Sequence, residues 1–116
     1  MARHDPLVRL RHMLDYSREA VEMAKGKTAD ELSKNRQLNL ALTHLVELIG
    51  EAASQIPRNV QACYRAIPWP KIVSMRNRLI HGYDFVDYDI LWDTINSDLP
   101  PLIEILEKII PPEKHR

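Results

Sequence analysis

The sequence predicts an all-α protein, an antiparallel helical bundle with two long N-terminal helices and about three shorter ones. Leu, Ile, Ala, Glu, Lys and Arg dominate, and these residue types favour helices. Three glycines and one phenylalanine argue against a β-rich fold, which uses glycine in turns and aromatics on pleated faces. Apolar residues recur at steps of three and four. With 116 residues and 45% hydrophobic content, we expect one domain, residues 1–116, around a single core.

The first long helix is predicted to begin at Asp5, its N-cap, with Pro6 at the first helical position. Gly26 is expected to end it, and Thr28 with Glu31 forms a capping box for the next segment. Its buried stripe is Leu7, Leu10, Leu14, Ser17, Val21 and Ala24.

The second long helix is the clearest in the chain and stops before Pro57. Small residues, Gly50 among them, lie on a second face of this helix and would let another backbone come close. Glu47 and Glu51, four residues apart, repel by a few tenths of a kcal/mol on an isolated helix. Either a cationic neighbour or a solvated acidic face would explain this pair. The core stripe is Leu38, Leu42, Leu45, Ile49, Ala52 and Ile56.

The shorter helices follow a connector that has room for one helical turn or two around residues 60–66. Pro68 and Pro70 make a rigid elbow, and Pro70 can open a helix that runs until Gly82, a natural left-handed terminator. A helix from about Tyr88 is capped by Asp84 or Asp87, breaks at 96–101, and is followed by a final helix, 102–109. The expected core residues of these segments are Cys63, Ile72, Met75, Leu79, Leu91, Ile95, Leu102, Leu106 and Ile109.

Charge and hydropathy restrict the class of protein. Sixteen basic and sixteen acidic residues cancel, so any RNA contact must come from a local patch, and self-association is mildly favoured. The charged N-terminus does not resemble a signal peptide, and no run approaches the ~20 apolar residues of a membrane span. We therefore expect a cytoplasmic protein with no membrane contact.

The stretch 75–83, MRNRLIHGY, concentrates the groups that could carry chemistry. Arginine clamps phosphate, histidine moves protons near neutral pH, and tyrosine offers a donor or a modifiable hydroxyl. On a regular helix Asn77 and His81 share a stripe, whereas Arg76 and His81 do not. Either His81 lies in a frayed last turn that Arg76 can reach, or partner groups come from a second chain. A histidine that only caps the helix dipole is the simpler alternative.

Other chemistries find little support in the sequence. The remaining histidines show no paired ligand spacing, so no metal is expected, and no glycine-rich phosphate loop or other cofactor signature is present. The aromatic run Tyr83, Phe85, Tyr88 and Trp92 would suit base stacking. The helical spacing of Tyr88 and Trp92, however, favours packing in the core or at an interface.

The motif R-x-x-x-x-H-x-Y, formed by Arg76, His81 and Tyr83 with Asn77 after the arginine, resembles the signature of the HEPN superfamily. Within it the chain is similar to the HepT-like toxins that pair with a small nucleotidyltransferase antitoxin. An isolated R-x-x-x-x-H is a weak signal, but flanking phrases occur in the family's order between residues 38 and 102. They are Ile49-Gly50-Glu51-Ala52, Pro68-Trp69, Met75-Arg76-Asn77 and Leu91-Trp92.

The resemblance implies a metal-independent endoribonuclease, the toxin of a toxin–antitoxin pair, that acts as a homodimer with both motifs at the interface. Arg76 and His81 would be catalytic, and Asn77, Arg78 and Glu51 would support substrate binding. Tyr83 would receive AMP from the partner nucleotidyltransferase, which silences the toxin. A different class stays open: a non-catalytic nucleotide- or RNA-binding scaffold for a nucleotidyltransferase, with weak RNA affinity from a short basic set. That set is Arg58, Arg65, Lys71, Arg76 and Arg78.

Overall fold

Helices make up most of the structure, a computed structural model that describes residues 5–81 and 85–112 and, at His81, the backbone alone. The all-α prediction is confirmed. The strands in these ranges are Ile80–His81 (β1) and Phe85–Val86 (β2). The helices are Pro6–Ala24 (α1), Ala29–Lys34 (α2), Arg36–Ser54 (α3), Arg58–Gln61 (α4), Trp69–Val73 (α5), Met75–Leu79 (α6), Tyr88–Asp93 (α7) and Leu99–Ile109 (α8), with a π-helical segment, Thr94–Asp98, between α7 and α8.

The helix ends follow the capping signals in the sequence. The Asp5 side chain accepts from the Leu7 N–H at the start of α1, and Thr28 and Glu31 form the reciprocal capping box of α2. Gly26, just beyond α1, has φ of +77°, a conformation that side chains with a Cβ rarely adopt. Asp87 caps α7 through the N–H groups of Asp89 and Ile90. These local predictions are confirmed.

Helix α1 packs against both α3 and α8, and the shorter helices add further residues to the core that these three begin. The Arg18 guanidinium bonds Glu107 at 2.7 Å, and Arg11 donates to the Pro111 carbonyl at 3.4 Å, so α1 and α8 run antiparallel. All six residues predicted for the α3 stripe are buried. The Leu7 side chain of α1, predicted to be buried, is instead 37% exposed.

The helix that carries the motif ends earlier than predicted. The Ile80 N–H bonds the Arg76 carbonyl, and Ile80 then turns extended with φ of −90° and ψ of 118°. Ile80 pairs with Val86 and His81 with Phe85 in an antiparallel register, and the Asp87 N–H bonds the Leu79 carbonyl at 2.8 Å. The expectation that His81 occupies the last helical turn is therefore wrong. Gly82, the proposed terminator, lies outside the described residues.

The predicted break at 96–101 does not occur. Helix α7 continues through the π-helical segment into α8, and the Leu99 N–H bonds the Thr94 carbonyl in the wide π pattern. Pro100 falls in the first turn of α8, where a missing N–H costs no hydrogen bond of that helix. The wider turn thus lets the chain pass the two prolines without leaving the helical path.

The connector between α3 and α5 holds its short helix at Arg58–Gln61, earlier than the predicted residues 60–66. Cys63 is exposed rather than buried, because the turn after α4 presents it to solvent. Ile67 and Trp69 fill the core beneath this turn, and the Trp69 indole donates to the Gln61 and Tyr64 carbonyls at 3.0 and 3.1 Å. None of the helices that the structure describes combines the length and apolarity needed to cross a bilayer.

Candidate active site

The motif helix α6 continues from α5, which lies against the small-residue face of α3. A Cβ built on Gly50 would stand 3.4 Å from the Ile72 carbonyl oxygen and 3.6 Å from that of Val73. The α5 backbone therefore comes close to this face of α3, as the sequence predicted, at distances that are ordinary van der Waals contacts for a Cβ. This contact sets how close α6, two residues further along the chain, comes to α3.

Arg76 projects from α6 toward α3 and remains 60% exposed at its side chain. Its Nε lies 3.5 Å from Oε2 of Glu47, whose side chain is 33% exposed. The cationic neighbour that the Glu47–Glu51 pair suggested is therefore Arg76. The contact is made by Nε, and the terminal nitrogens are the atoms with which an arginine commonly holds a phosphate bidentately.

Glu47 is the carboxylate of the pair that contacts Arg76, and the supporting role of Glu51 stays a prediction. Glu51 lies one turn further along α3, is exposed, and accepts a hydrogen bond from Gln55 Nε2 at 2.8 Å. Both carboxylates were visible in the sequence as a pair. Only the closeness of α6, which is a tertiary feature, decides between them.

Arg78, two residues after Arg76, faces a different partner. Its Nη1 lies 3.4 Å from Oδ2 of Asp98, and Lys71 Nζ lies 3.0 Å from the other oxygen of the same carboxylate. The Asp98 side chain is only 9% exposed. Arg78 thus connects α6 to the π-helical segment, and its predicted part in substrate binding stays a prediction. Nothing in the local sequence signals Asp98, because it depends on the π turn.

Of the remaining motif residues, the structure describes Asn77 and the backbone of His81. Asn77 is exposed on this helix. The predicted stripe shared by Asn77 and His81 does not form, because the helix stops at Leu79. His81 stands in β1, opposite Phe85. Tyr83 lies outside the described residues, and among the side chains that are described no group of three or more His, Cys, Asp or Glu could hold a metal ion.

Comparison with known proteins places the motif in a family. Residues 13–109 match the family model described as "Ribonuclease HepT-like". The chain belongs to that family. Since HepT-like proteins are part of the HEPN superfamily, the resemblance seen in the sequence is confirmed.

Curated relatives span the chain almost end to end. It is 33% identical to "Putative RNase TTE0752" of Caldanaerobacter subterraneus over 90% of this chain and 94% of that protein. It is 32% identical to "Putative RNase MJ1216" of Methanocaldococcus jannaschii, over 95% and 91% of the two chains. It is 33% identical to "Probable ribonuclease HepT" of Thermococcus cleftensis, over 78% and 86%. No solved structure matches this chain at a significant level.

Proposed function

We propose that this protein is a metal-independent endoribonuclease, the toxin of a toxin–antitoxin pair, whose active site is completed by a second copy of the chain. The observation that carries the proposal is the exposed guanidinium of Arg76. Arg76 lies on α6, the helix that leads directly into the His81 strand, and its Nε pairs with Glu47 of α3. The family and the names of the relatives support RNA as the substrate.

The reaction needs more groups than one motif supplies. The 2′-hydroxyl loses its proton to a base as its oxygen attacks the adjacent phosphorus. The bond from phosphorus to the 5′-oxygen then breaks, and that oxygen takes a proton from an acid. Cations stabilise the extra negative charge. One motif has one histidine, whereas a two-fold dimer brings two copies of His81 and Arg76 into one cleft. One imidazole then acts as base and the other as acid.

The first test measures cleavage of a single-stranded RNA in the presence of EDTA. We expect the wild type to cleave, and His81→Ala to lose roughly 10²–10⁴-fold in rate, the usual contribution of one acid–base group. Undiminished cleavage by His81→Ala would remove it from the mechanism. A wild type without activity, whose expression also leaves growth unaffected, would favour the non-catalytic scaffold.

A second test addresses the shared site. Wild-type protein is mixed with increasing His81→Ala protein, under conditions that allow subunits to exchange. If each site needs two imidazoles, mixed dimers are inactive and activity falls faster than the wild-type fraction. A strictly proportional fall would show that each chain acts alone.

The regulation that the family suggests is attachment of AMP to Tyr83 by a partner nucleotidyltransferase. The phenol oxygen would attack the α-phosphorus of ATP and release pyrophosphate. The added charge and bulk beside the cleft would oppose the entry of RNA. Intact-mass measurement after co-expression with such a partner should show an adenylyl increment that is absent in Tyr83→Phe. An equal increment in Tyr83→Phe would place the modification elsewhere.

A further inference from the structure

A groove of about 390 Å³ lies between α3 and the β2 strand, next to the candidate active site. Its lining includes contact partners of two motif residues. One wall includes Glu47, the ion-pair partner of Arg76. The other wall includes Phe85, the residue directly opposite His81 in the strand pair. Anything seated in this groove therefore lies beside the residues proposed to hold and cleave a phosphodiester.

The groove combines exposed apolar side chains with polar and cationic ones. Phe85 is 63% exposed and Leu40 is 51% exposed, and both line it. A phenylalanine left so far in solvent costs free energy unless something covers it, and bases stack on such rings. Two exposed apolar side chains beside a nuclease motif thus favour a ligand that has a flat face.

The cationic groups of the groove fit the rest of a nucleotide. Arg36 donates through Nη1 to the Tyr88 hydroxyl at 3.2 Å and to Asn39 Oδ1 at 3.4 Å. These contacts hold the guanidinium in place through one nitrogen, so the others can meet a phosphate. The exposed His44 lies on the same wall. Glu47 is the acidic residue of the lining, and its charge is offset by Arg76.

We propose that this groove binds the nucleotide next to the scissile phosphate of single-stranded RNA, with its base stacked on Phe85 and its phosphate near Arg36. The proposal rests on the proposed nuclease function and deepens it. Recognition by stacking requires an unpaired base, so the groove selects single strands over duplexes.

The test uses a fluorescein-labelled, single-stranded RNA hexamer carrying 2′-O-methyl groups, which cannot be cleaved by 2′-hydroxyl attack. Its dissociation constant is measured by fluorescence anisotropy for the wild type, Phe85→Ala, Phe85→Leu and Phe85→Trp. Val8→Ala, an exposed apolar residue on α1 that does not line the groove, is the matched control. We expect the dissociation constants of the Ala and Leu variants to rise by roughly tenfold or more. The Trp variant and the control should bind like the wild type.

Several outcomes would overturn the assignment. If Phe85→Ala has a dissociation constant within twofold of that of the wild type, the groove is not the RNA-binding site. If Phe85→Leu binds as tightly as the wild type, the base does not stack on Phe85. A wild type that does not bind the hexamer would also refute it. Sedimentation of Phe85→Ala as a monomer beside a dimeric wild type would assign the groove to a second copy of the chain instead.

Cleavage of unmodified RNA keeps the two proposals apart. A hexamer that binds in a Phe85-dependent way, combined with a wild type that never cleaves RNA, would refute the nuclease and leave the binding site standing. Equal kcat/KM values for wild type and Phe85→Ala would refute the groove and leave the nuclease.

Discussion

Arg76 and Arg78 lie two residues apart on one short helix, yet their surroundings differ. The Arg76 side chain is 60% exposed, and its ion pair with Glu47 is long, at 3.5 Å. Arg78 is 37% exposed and shares the buried carboxylate of Asp98 with Lys71. The same residue type thus stays largely in solvent at one position and joins two helical segments at the other. Exposure and the burial of the counter-charge, rather than residue type, separate the two roles.

Among substitutions at these two arginines and their partners, the largest expected effect is on catalysis at Arg76. Arg76→Ala should lower the rate of RNA cleavage by about 10²-fold or more, because it removes a cation that faces the developing charge. Its melting temperature should stay close to that of wild type, since exposed ion pairs contribute only about 0–1 kcal/mol. Cleavage kinetics and thermal melts check both parts. If Arg76→Ala loses activity only because it unfolds, Arg76 supports the fold, as Arg78 does.

Asp98→Asn should give the opposite pattern. Two cations lose their shared counter-charge, one of them on α6, so we expect the free energy of unfolding to fall by about 1–3 kcal/mol. Activity per folded molecule at low temperature should remain within a few-fold. Urea melts measure the first quantity, with Asp93→Asn, an exposed carboxylate on α7, as the matched control. Equal free energies of unfolding for the two variants would show that the ion pairs of Asp98 do not stabilise the fold.

Glu47→Gln tests whether the ion pair orients Arg76. The amide keeps the size of the side chain but lowers its attraction for the guanidinium, so kcat/KM should fall by roughly three- to tenfold. The effect should vanish in the Arg76→Ala background, which a double-mutant cycle measures. Glu51→Gln, one turn along α3, is the control. If both substitutions have equal effects, the contact with Arg76 is not the cause.

Arg78→Gln should have the smallest effect. Lys71 still neutralises Asp98 at 3.0 Å, so the free energy of unfolding should drop by only about 0.5–1 kcal/mol. Cleavage by the folded protein should be nearly unchanged. A hundredfold loss of activity without a change in the melting curve would instead make Arg78 a substrate ligand, as the sequence alone suggested.

The sequence predicted what local chemistry decides. Capping at Asp5 and Thr28 and the apolar stripe of α3 depend on neighbours within a few residues, and each is confirmed. Gly50 was predicted to admit a backbone, and the Ile72 carbonyl is that backbone.

The remaining features depend on contacts between distant parts of the chain. Helix α6 ends at Leu79 because Ile80 pairs with Val86, a partner that the pattern of either segment does not reveal. The π turn that brings Asp98 to Arg78 arises where the chain must pass the prolines at 100 and 101. Glu47 and Glu51 could not be ranked before the position of α6 was known. The roles of Arg76, Asn77, His81 and Tyr83 stay predictions.

The pairing of His81 with Phe85 has a consequence for how the motif histidine is positioned. The backbone of His81 is paired with β2, which follows it in the chain, and lies outside the helix that precedes it. Substitutions that repack the helical core can therefore leave this backbone in place. A change that disrupts β2 would displace it.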